Sequence, residues 1–442
     1  MQTTATLTKN TLKVDKWMAW AAVYMAVIFV FTWLEVEVNA IVIALYFVLA
    51  CPFILKPEVY LLVCTSFSLI AYFFCGADEG IYSIYTILMV ICVLHFAFVQ
   101  RTFKMAFAMA ALGFILAVLT FISYKHSAYR YTNGLYALIY VIVTAIAVSS
   151  FINGKDNAVG AYWPGIAALF FTFCVISCII GGGGETARFS ISPDVNYNTF
   201  GMAMGQLSIV FSTQYFIISE RKGKRYLLLW LAALLLVLLS GSRSALLGAL
   251  GATLVVQIVY NYYNKRAIRF LLITLIAGTV VVLLALPLLK FLGMDLSRFN
   301  YQDVVDSGGS NRIELWNTLI PYITRNYLEH GVGPGHYCTS QVIYKLLRLR
   351  YSHSHNLLLE ALCELGIGGC AVFLVLLVAT VNRGIRVARN NLSMFVPLGC
   401  FVGLLINGIG EAYFCDMILW ILMGIIFSFE KGTSKKEKGH EV

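Results

Sequence analysis

The sequence predicts an all-α integral membrane protein of about 12 to 14 transmembrane helices, with one large outer (periplasmic or extracellular) loop that itself contains amphipathic helices. Three observations carry this prediction. The 442-residue chain is 60% hydrophobic and has a mean hydropathy of +0.81. Only 12% of its residues are charged, against about 25% in an ordinary soluble domain. Apolar runs of about 20 residues, the length needed to cross a bilayer, recur along the whole chain. This composition excludes a soluble enzyme, a disordered chain and a nucleic-acid-binding protein.

In order, the apolar runs centre on residues 17–33, 39–55, 58–75, 81–99, 105–123, 136–152, 162–180, 200–218, 226–240, 244–260, 270–292, 366–381, 395–410 and 414–429. The segment Met1 to Lys16 lacks a short apolar stretch ending in a cleavage site, so it reads as retained. Lys and Arg concentrate in cytoplasmic loops. Placing the N-terminus inside puts most of the 32 basic residues there, including the Arg221-Lys222-Gly-Lys224-Arg225 cluster, Arg383, Arg386, Arg389 and the Lys-rich tail. Outside its long loop, the outer side keeps only Lys125, Arg130, Arg188 and Arg243. Both termini are therefore expected in the cytoplasm, and the formal net charge of +10 is a topology signal. The expected division is 1–180, N-terminal transmembrane helices; 181–430, a second membrane domain including outer loop 293–356; and 431–442, a basic cytoplasmic tail.

The eleven cysteines are scattered through apolar runs without a CxxC pair. Cys174 and Cys178 share a helix face and read as buried small hydrophobes. No disulfide framework, metal site or cofactor is indicated.

The outer loop is long enough to suggest function. Ser310-Asn311 is expected to cap a helix carrying Ile313, Trp316, Leu319, Ile320 and Ile323 on one face. Gly331-Val-Gly333-Pro-Gly335 forces a turn. A second helix is expected from about Ser340 to Arg350, followed by the polar stretch Ser352-His353-Ser354-His355-Asn356.

Charges at membrane depth are costly, so each needs a reason. Arg243 lies in the break Ser240-Gly241-Ser242-Arg243-Ser244. It is either a helix-end charge whose stem snorkels to the interface or part of an anion site. Arg188 follows the four-glycine run 181–184 in the loop leading to Asn196 and Asn198. It is either a solvated charge or a further anion ligand. Arg312 opens the amphipathic helix, where the helix dipole opposes a cation and calls for an anionic partner; an ordinary surface arginine is the alternative. His353 and His355 precede a helix start, which favours neutral imidazole and proton acceptance near pH 7, although interfacial polar residues read the same way. Alternating histidines also suggest a metal, but no nearby Cys or paired carboxylate completes a site. Asp295, Asp303 and Asp306 read as solvated loop charges. Together, three arginines and a histidine on one outer face describe group transfer from a lipid pyrophosphate to an alcohol.

The stretches Ser240-Gly-Ser-Arg243-Ser-Ala, Asn311-Arg312-Ile-Glu-Leu-Trp316, Gly331-Val-Gly-Pro-Gly335-His-Tyr337 and Ser354-His355-Asn356 through Gly366-Ile-Gly368-Gly369 carry a family resemblance. Over about residues 185 to 425 the chain resembles the O-antigen ligase and polymerase superfamily of bacterial membrane glycosyltransferases. The resemblance implies a metal-independent, inverting transfer of a glycan from undecaprenyl pyrophosphate at the outer face of the inner membrane. Arg243, Arg312 and Arg188 would bind the donor pyrophosphate. His355 would act as the base or orient the acceptor hydroxyl. His353, Asn356, Gly333 and Gly335 are candidates for acceptor contact or loop support. In a ligase the acceptor is a lipid A–core sugar, and in a polymerase it is another lipid-linked repeat unit. The expected partners are these substrates and membrane lipids, with no nucleic acid. A transporter or flippase of lipid-linked glycan is the rival from another class; it would carry charges within spans and internal repeats, neither of which is evident.

Overall fold

The computed structural model describes residues 15–70, 79–100, 106–127, 129–152, 158–181, 190–191, 195–219, 223–263, 287, 290, 312–349 and 351–429. Their regular structure is helical throughout, with no strand among the described residues. Among the described residues, six helices are long and apolar enough to cross a membrane, and shorter apolar helices accompany them. The chain is a multi-pass all-α membrane protein. The expected span 270–292, all but residues 287 and 290, the helix cap at Ser310-Asn311 and the tail 431–442 lie outside the described residues.

The first half of the bundle consists of α1 (Lys16–Trp33), α2 (Ala40–Ala50), α3 (Pro57–Phe67), α4 (Glu79–His95), α5 (Phe107–His126), α6 (Thr132–Phe151) and α7 (Ala158–Gly181). Local chemistry sets several of the starts. Asp15 accepts from the N–H groups of Trp17 and Met18 and so caps α1. Asn39 does the same for α2, and Pro57 occupies the first turn of α3, where its missing N–H costs nothing. The second half comprises α8 (Tyr197–Thr213), α9 (Lys224–Leu239), α10 (Arg243–Tyr263), α11 (Arg312–Asn326), α12 (His336–Leu347), α13 (Leu357–Ala388), α14 (Phe395–Asn407) and α15 (Met417–Ser428). Helices α8, α9, α10 and α14 pack together, α15 lies along α6, and α13 lies along α5. Small residues bring the backbones close, as membrane helices require: a Cβ on Gly248 of α10 would lie 2.9 Å from the Gly403 carbonyl oxygen of α14.

Where the expected apolar run 366–381 reads as one span, α13 is a longer element that folds back on itself. Gly366 has φ 69° and ψ −170°, outside any helix. Cys370 Sγ lies 3.5 Å from the Leu358 carbonyl oxygen, although twelve residues of continuous helix would separate them by about 18 Å. The element is therefore a short arm, 357–365, and a long arm, 367–388, running in opposite directions. Only glycine fits the reversal, because a Cβ at 366 would sit 2.6 Å from the Leu328 carbonyl oxygen.

The short arm carries a second, smaller core. Leu315, Leu319 and Ile323 of α11, Val342 and Ile343 of α12, and Leu359 and Cys363 of the short arm pack together apart from the main bundle. This corrects the face expected for α11. Its buried stripe is Leu315-Leu319-Ile323, while Ile313 and Ile320 are 54% and 43% exposed. Leu315 is one turn before Leu319 and two before Ile323, so this row meets α12 squarely. Helix α12 also starts and ends earlier than expected, at His336 and Leu347, because the chain turns at Gly335 (φ 95°) and enters the helix at once.

Candidate functional site

Five separate segments meet at one end of the bundle: the start of α8, the start of α10, the start of α11, the approach to α13 and the 408–416 connection between α14 and α15. The opposite end is marked by Arg383, whose guanidinium donates to the Phe427 and Phe429 carbonyls at 3.0 and 2.6 Å.

Glu411 is the hub. Its Oε1 accepts from Arg312 Nη2 at 2.8 Å and from Asn198 Nδ2 at 3.1 Å, and its Oε2 lies 3.3 Å from His355 Nδ1. The carboxylate is 9% exposed. Burial pushes its pKa up, but the His355 hydrogen bond and the Arg312 charge outweigh this and hold it below the usual carboxylate range. Glu411 therefore stays ionised at neutral pH. Sequence reasoning missed it, although the rule that singled out the arginines applies equally to a lone carboxylate between two apolar runs.

His355 occupies the left-handed region at φ 55°. Its backbone N–H donates to His353 Nδ1 at 3.2 Å, and the two rings stand 4.2 Å apart at 63°. With Nδ1–H directed at Glu411, His355 Nε2 keeps its lone pair and can accept a proton. Burial and the neighbouring His355 push His353 down to about 4, so His353 is neutral and serves as an acceptor to the backbone.

The two arginines converge on the same place. A Cβ on Gly410 would lie 2.6 Å from Arg312 Nη1 and 3.5 Å from Ser244 Cβ. Gly410 is thus wedged between the Arg312 guanidinium and the first turn of α10, which begins at Arg243. The two guanidiniums feel each other's charge. The anionic partner expected for Arg312 exists within the protein, as Glu411. Arg188 lies outside the described residues.

A second polar cluster holds the frame in place. His336 Nδ1 sits 3.0 Å from Glu360 Oε1 and 3.5 Å from Glu364 Oε1. The other oxygens of these carboxylates accept from the backbone N–H groups of Ser354 and Gly335, both at 2.7 Å. Trp316 Nε1 donates to the Ser354 carbonyl at 2.8 Å. Burial lowers the His336 pKa, but the two carboxylates overcome this and raise it well above the ordinary value. Asn356 caps α13 through the N–H groups of Leu358 and Leu359 and donates to the Ile409 carbonyl at 3.2 Å. Gly333 and Gly335 are buried against α5 and α6: a Cβ at 333 would lie 2.2 Å from Ser127 Oγ, and one at 335 would lie 2.7 Å from Gly134 Cα.

The sequence expectation that no carboxylate or cysteine stands near the histidines is corrected here, because folding brings these groups in from distant segments. His353, His355 and Glu411 form one group with ligand atoms within 4.8 Å of one another, and His336, Glu364 and Cys415 form another. Cys415 Sγ lies 3.5 Å from Glu364 Oε2, and the other five side chains make the hydrogen bonds described above.

Residues 227–374 match a protein-family model described as O-antigen ligase. No curated protein matches the chain. The matched stretch contains Arg243, Arg312, Gly333, Gly335, His353, His355 and Asn356, whereas Asn198 and Glu411 lie to either side of it. Similarity to O-antigen ligases thus covers residues 227–374, the segment that supplies both arginines and the histidine.

Proposed function

We propose that the protein transfers a glycan from undecaprenyl pyrophosphate to a hydroxyl of lipid A–core, at the outer face of the bacterial inner membrane. The observation that carries this reading is the Glu411 network, which joins an arginine suited to an anionic leaving group and a histidine suited to a hydroxyl proton through one buried carboxylate. In the reaction, the acceptor hydroxyl oxygen attacks the anomeric carbon of the donor sugar and gives its proton to His355 Nε2. The bond from that carbon to the pyrophosphate oxygen breaks, and its electron pair leaves with the pyrophosphate. Arg243 and Arg312 stabilise the charge that develops there, Arg312 through a planar fork matched to phosphate oxygens. Glu411 accepts the Nδ1–H of His355 and stabilises the imidazolium as it forms. Attack opposite the leaving group inverts the anomeric centre. No step requires a metal.

The test is to incubate the purified protein in lipid discs with a polyprenyl-pyrophosphate oligosaccharide, with and without lipid A–core, and to resolve the products by size. Product is expected only when lipid A–core is present. A ladder from donor alone would make the acceptor a second lipid-linked unit and the protein a polymerase. No product in either arm, with the donor scrambled across liposomes by the same protein, would replace transfer with transport.

A further inference from the structure

His336, Glu360, Glu364 and Cys415 meet in a cluster that contains none of the groups assigned to the reaction. Glu360 and Glu364 lie one turn apart on the short arm of α13, so their side chains leave the same face of it, and both are fully buried. Each gives one oxygen to the backbone and turns the other inward. The Oε2 atoms accept from the Ser354 and Gly335 N–H groups, whereas both Oε1 atoms face His336 Nδ1, at 3.0 and 3.5 Å. Glu364 Oε1 also lies 3.6 Å from Cys415 Sγ. The ligand atoms of His336, Glu364 and Cys415 are all within 4.8 Å of one another.

These separations are those of a tetrahedral zinc shell. Zinc bonds of about 2.0–2.2 Å to nitrogen and carboxylate oxygen, and about 2.3 Å to sulfur, set N and O ligands about 3.4 Å apart and O and S ligands about 3.6 Å apart. Glu364 Oε1 stands at those distances from His336 Nδ1 and Cys415 Sγ. Glu360 Oε1 supplies the fourth corner. The backbone N–H groups on the Oε2 atoms orient both carboxylates, as outer-shell hydrogen bonds do around bound metals. A thiolate and an imidazole favour zinc over magnesium or calcium. The half-buried Cys415 and the partly exposed His336 leave a way in. The other group, His353, His355 and Glu411, is less suited to a cation, because the Arg312 guanidinium already sits 2.8 Å from Glu411. Among the described residues no arginine or lysine pairs with Glu360 or Glu364. We propose that His336 Nδ1, Glu360 Oε1, Glu364 Oε1 and Cys415 Sγ form a structural zinc site. On binding, His336 gives its Nδ1 proton and Cys415 its thiol proton to water, with no change of oxidation state. Cys415 follows Glu411 by four residues, so the ion ties the connection that carries Glu411 to the start of α12 and to the short arm of α13. It touches no reacting group, and the inference does not depend on the identity of donor or acceptor.

The experiment strips the full-length protein in lipid discs with a chelator and titrates it with Zn²⁺ alone and, separately, with Co²⁺ as a spectroscopic substitute. Saturable binding of zinc is expected by elemental analysis, with the thermal midpoint raised by about 3 °C at a hundredfold excess over Kd. Bound Co²⁺ should show a thiolate-to-metal charge-transfer band that excess Mg²⁺ leaves in place. Cys415→Ser should abolish the band and His355→Ala should keep it. The absence of a saturable band, its displacement by Mg²⁺ or its survival in Cys415→Ser would overturn the proposal, as would its loss in His355→Ala. A second measurement needs no variant, so it holds even where Cys415→Ser fails to fold. Zinc at a hundredfold excess over Kd leaves about 1% of the sites free, so alkylation of wild-type Cys415 by a small maleimide, read by peptide mass spectrometry, should slow roughly 100-fold. An unchanged rate of alkylation overturns the proposal. None of these readouts requires transfer, so a protein that binds zinc but forms no product fails the proposed function and keeps the site.

Discussion

Replacing Glu411 with glutamine tests whether the hub contributes to chemistry or only to architecture. The substitution preserves shape and removes one negative charge from a carboxylate bonded to Arg312 at 2.8 Å and facing His355 at 3.3 Å. An amide can still accept from one of these partners, but its NH2 then faces the N–H of the other. In the proposed mechanism the transition state suffers most, because only there does His355 take the acceptor's proton. A hydrogen bond to a charged group contributes about 1.5–3 kcal/mol, and about 1.36 kcal/mol corresponds to tenfold in rate. The expected loss in kcat is therefore roughly 10- to 150-fold, with little change in donor KM while Arg243 is intact. The assay is single-turnover transfer of a labelled donor in lipid discs, run alongside a thermal melt of each variant. A rate within twofold of wild type at an unchanged melting midpoint would refute the catalytic role. So would a lowered midpoint with the rate per folded molecule unchanged, since that pattern belongs to a purely structural carboxylate. Because the folded carboxyl titrates below its ordinary range, the stability its charge provides is fully present above the unfolded value and lost as pH falls through the folded one. The wild-type and Gln curves should therefore run parallel above about pH 5.

Four further outcomes follow from the same geometry. Replacing Arg312 by Ala should lower kcat/KM by about 10²- to 10³-fold in donor titrations, and Lys should recover only part because it offers a point charge instead of a fork. His355→Ala should abolish transfer while membrane yield, read by immunoblot, stays at the wild-type level; transfer at the wild-type rate would remove histidine from the mechanism. Gly366→Ala forces a side chain into φ 69° and against the Leu328 carbonyl, so it should lower stability by at least about 1–3 kcal/mol in denaturant melts; no measurable change would contradict the fold-back. The folded His336 pKa is raised, so its contribution to stability is complete below the unfolded value and disappears as pH rises through the folded one; thermal midpoints should fall on the alkaline side in wild type and less so in His336→Gln.

Much of this molecule was legible in the sequence because hydropathy and charge cost act locally. Among the described residues, the helices of the main bundle lie where the apolar runs lie. Arg243, Arg312 and His355 stood out because a membrane protein keeps polar groups at depth only for a reason. The missing features are non-local. A hydropathy average cannot register a reversal inside an apolar run, so the turn at Gly366 and the separate short arm stayed hidden within one stretch. Glu360 and Glu364 lie one turn apart on that arm and carried the signal of a polar face, but their partner His336 is reached only through the turn at 331–335. Glu411 lies in a short connection with no motif around it, and its three partners come from residues 198, 312 and 355. That convergence is a property of packing alone.

The backbone of His355 shows what the second cluster is for. A non-glycine residue in the left-handed region costs roughly 1–2 kcal/mol and persists only where the surroundings fix it more firmly than its own preference opposes it. Here the residues on both sides are clamped. Ser354 is held through its N–H by Glu360 and through its carbonyl by Trp316, and Asn356 is held by capping α13 and by the Ile409 carbonyl. Glu360 is itself tied to His336, and Glu364, one turn along the same arm, to His336 and the Gly335 N–H. With both flanks fixed, the imidazole is held towards Glu411 against its local preference. A base positioned in advance spends less of the substrate's binding energy on alignment, which is how positioning lowers a barrier. In the proposed reaction the folded-back arm thus acts without touching the reactants. It carries the two buried carboxylates that hold the strained histidine in place.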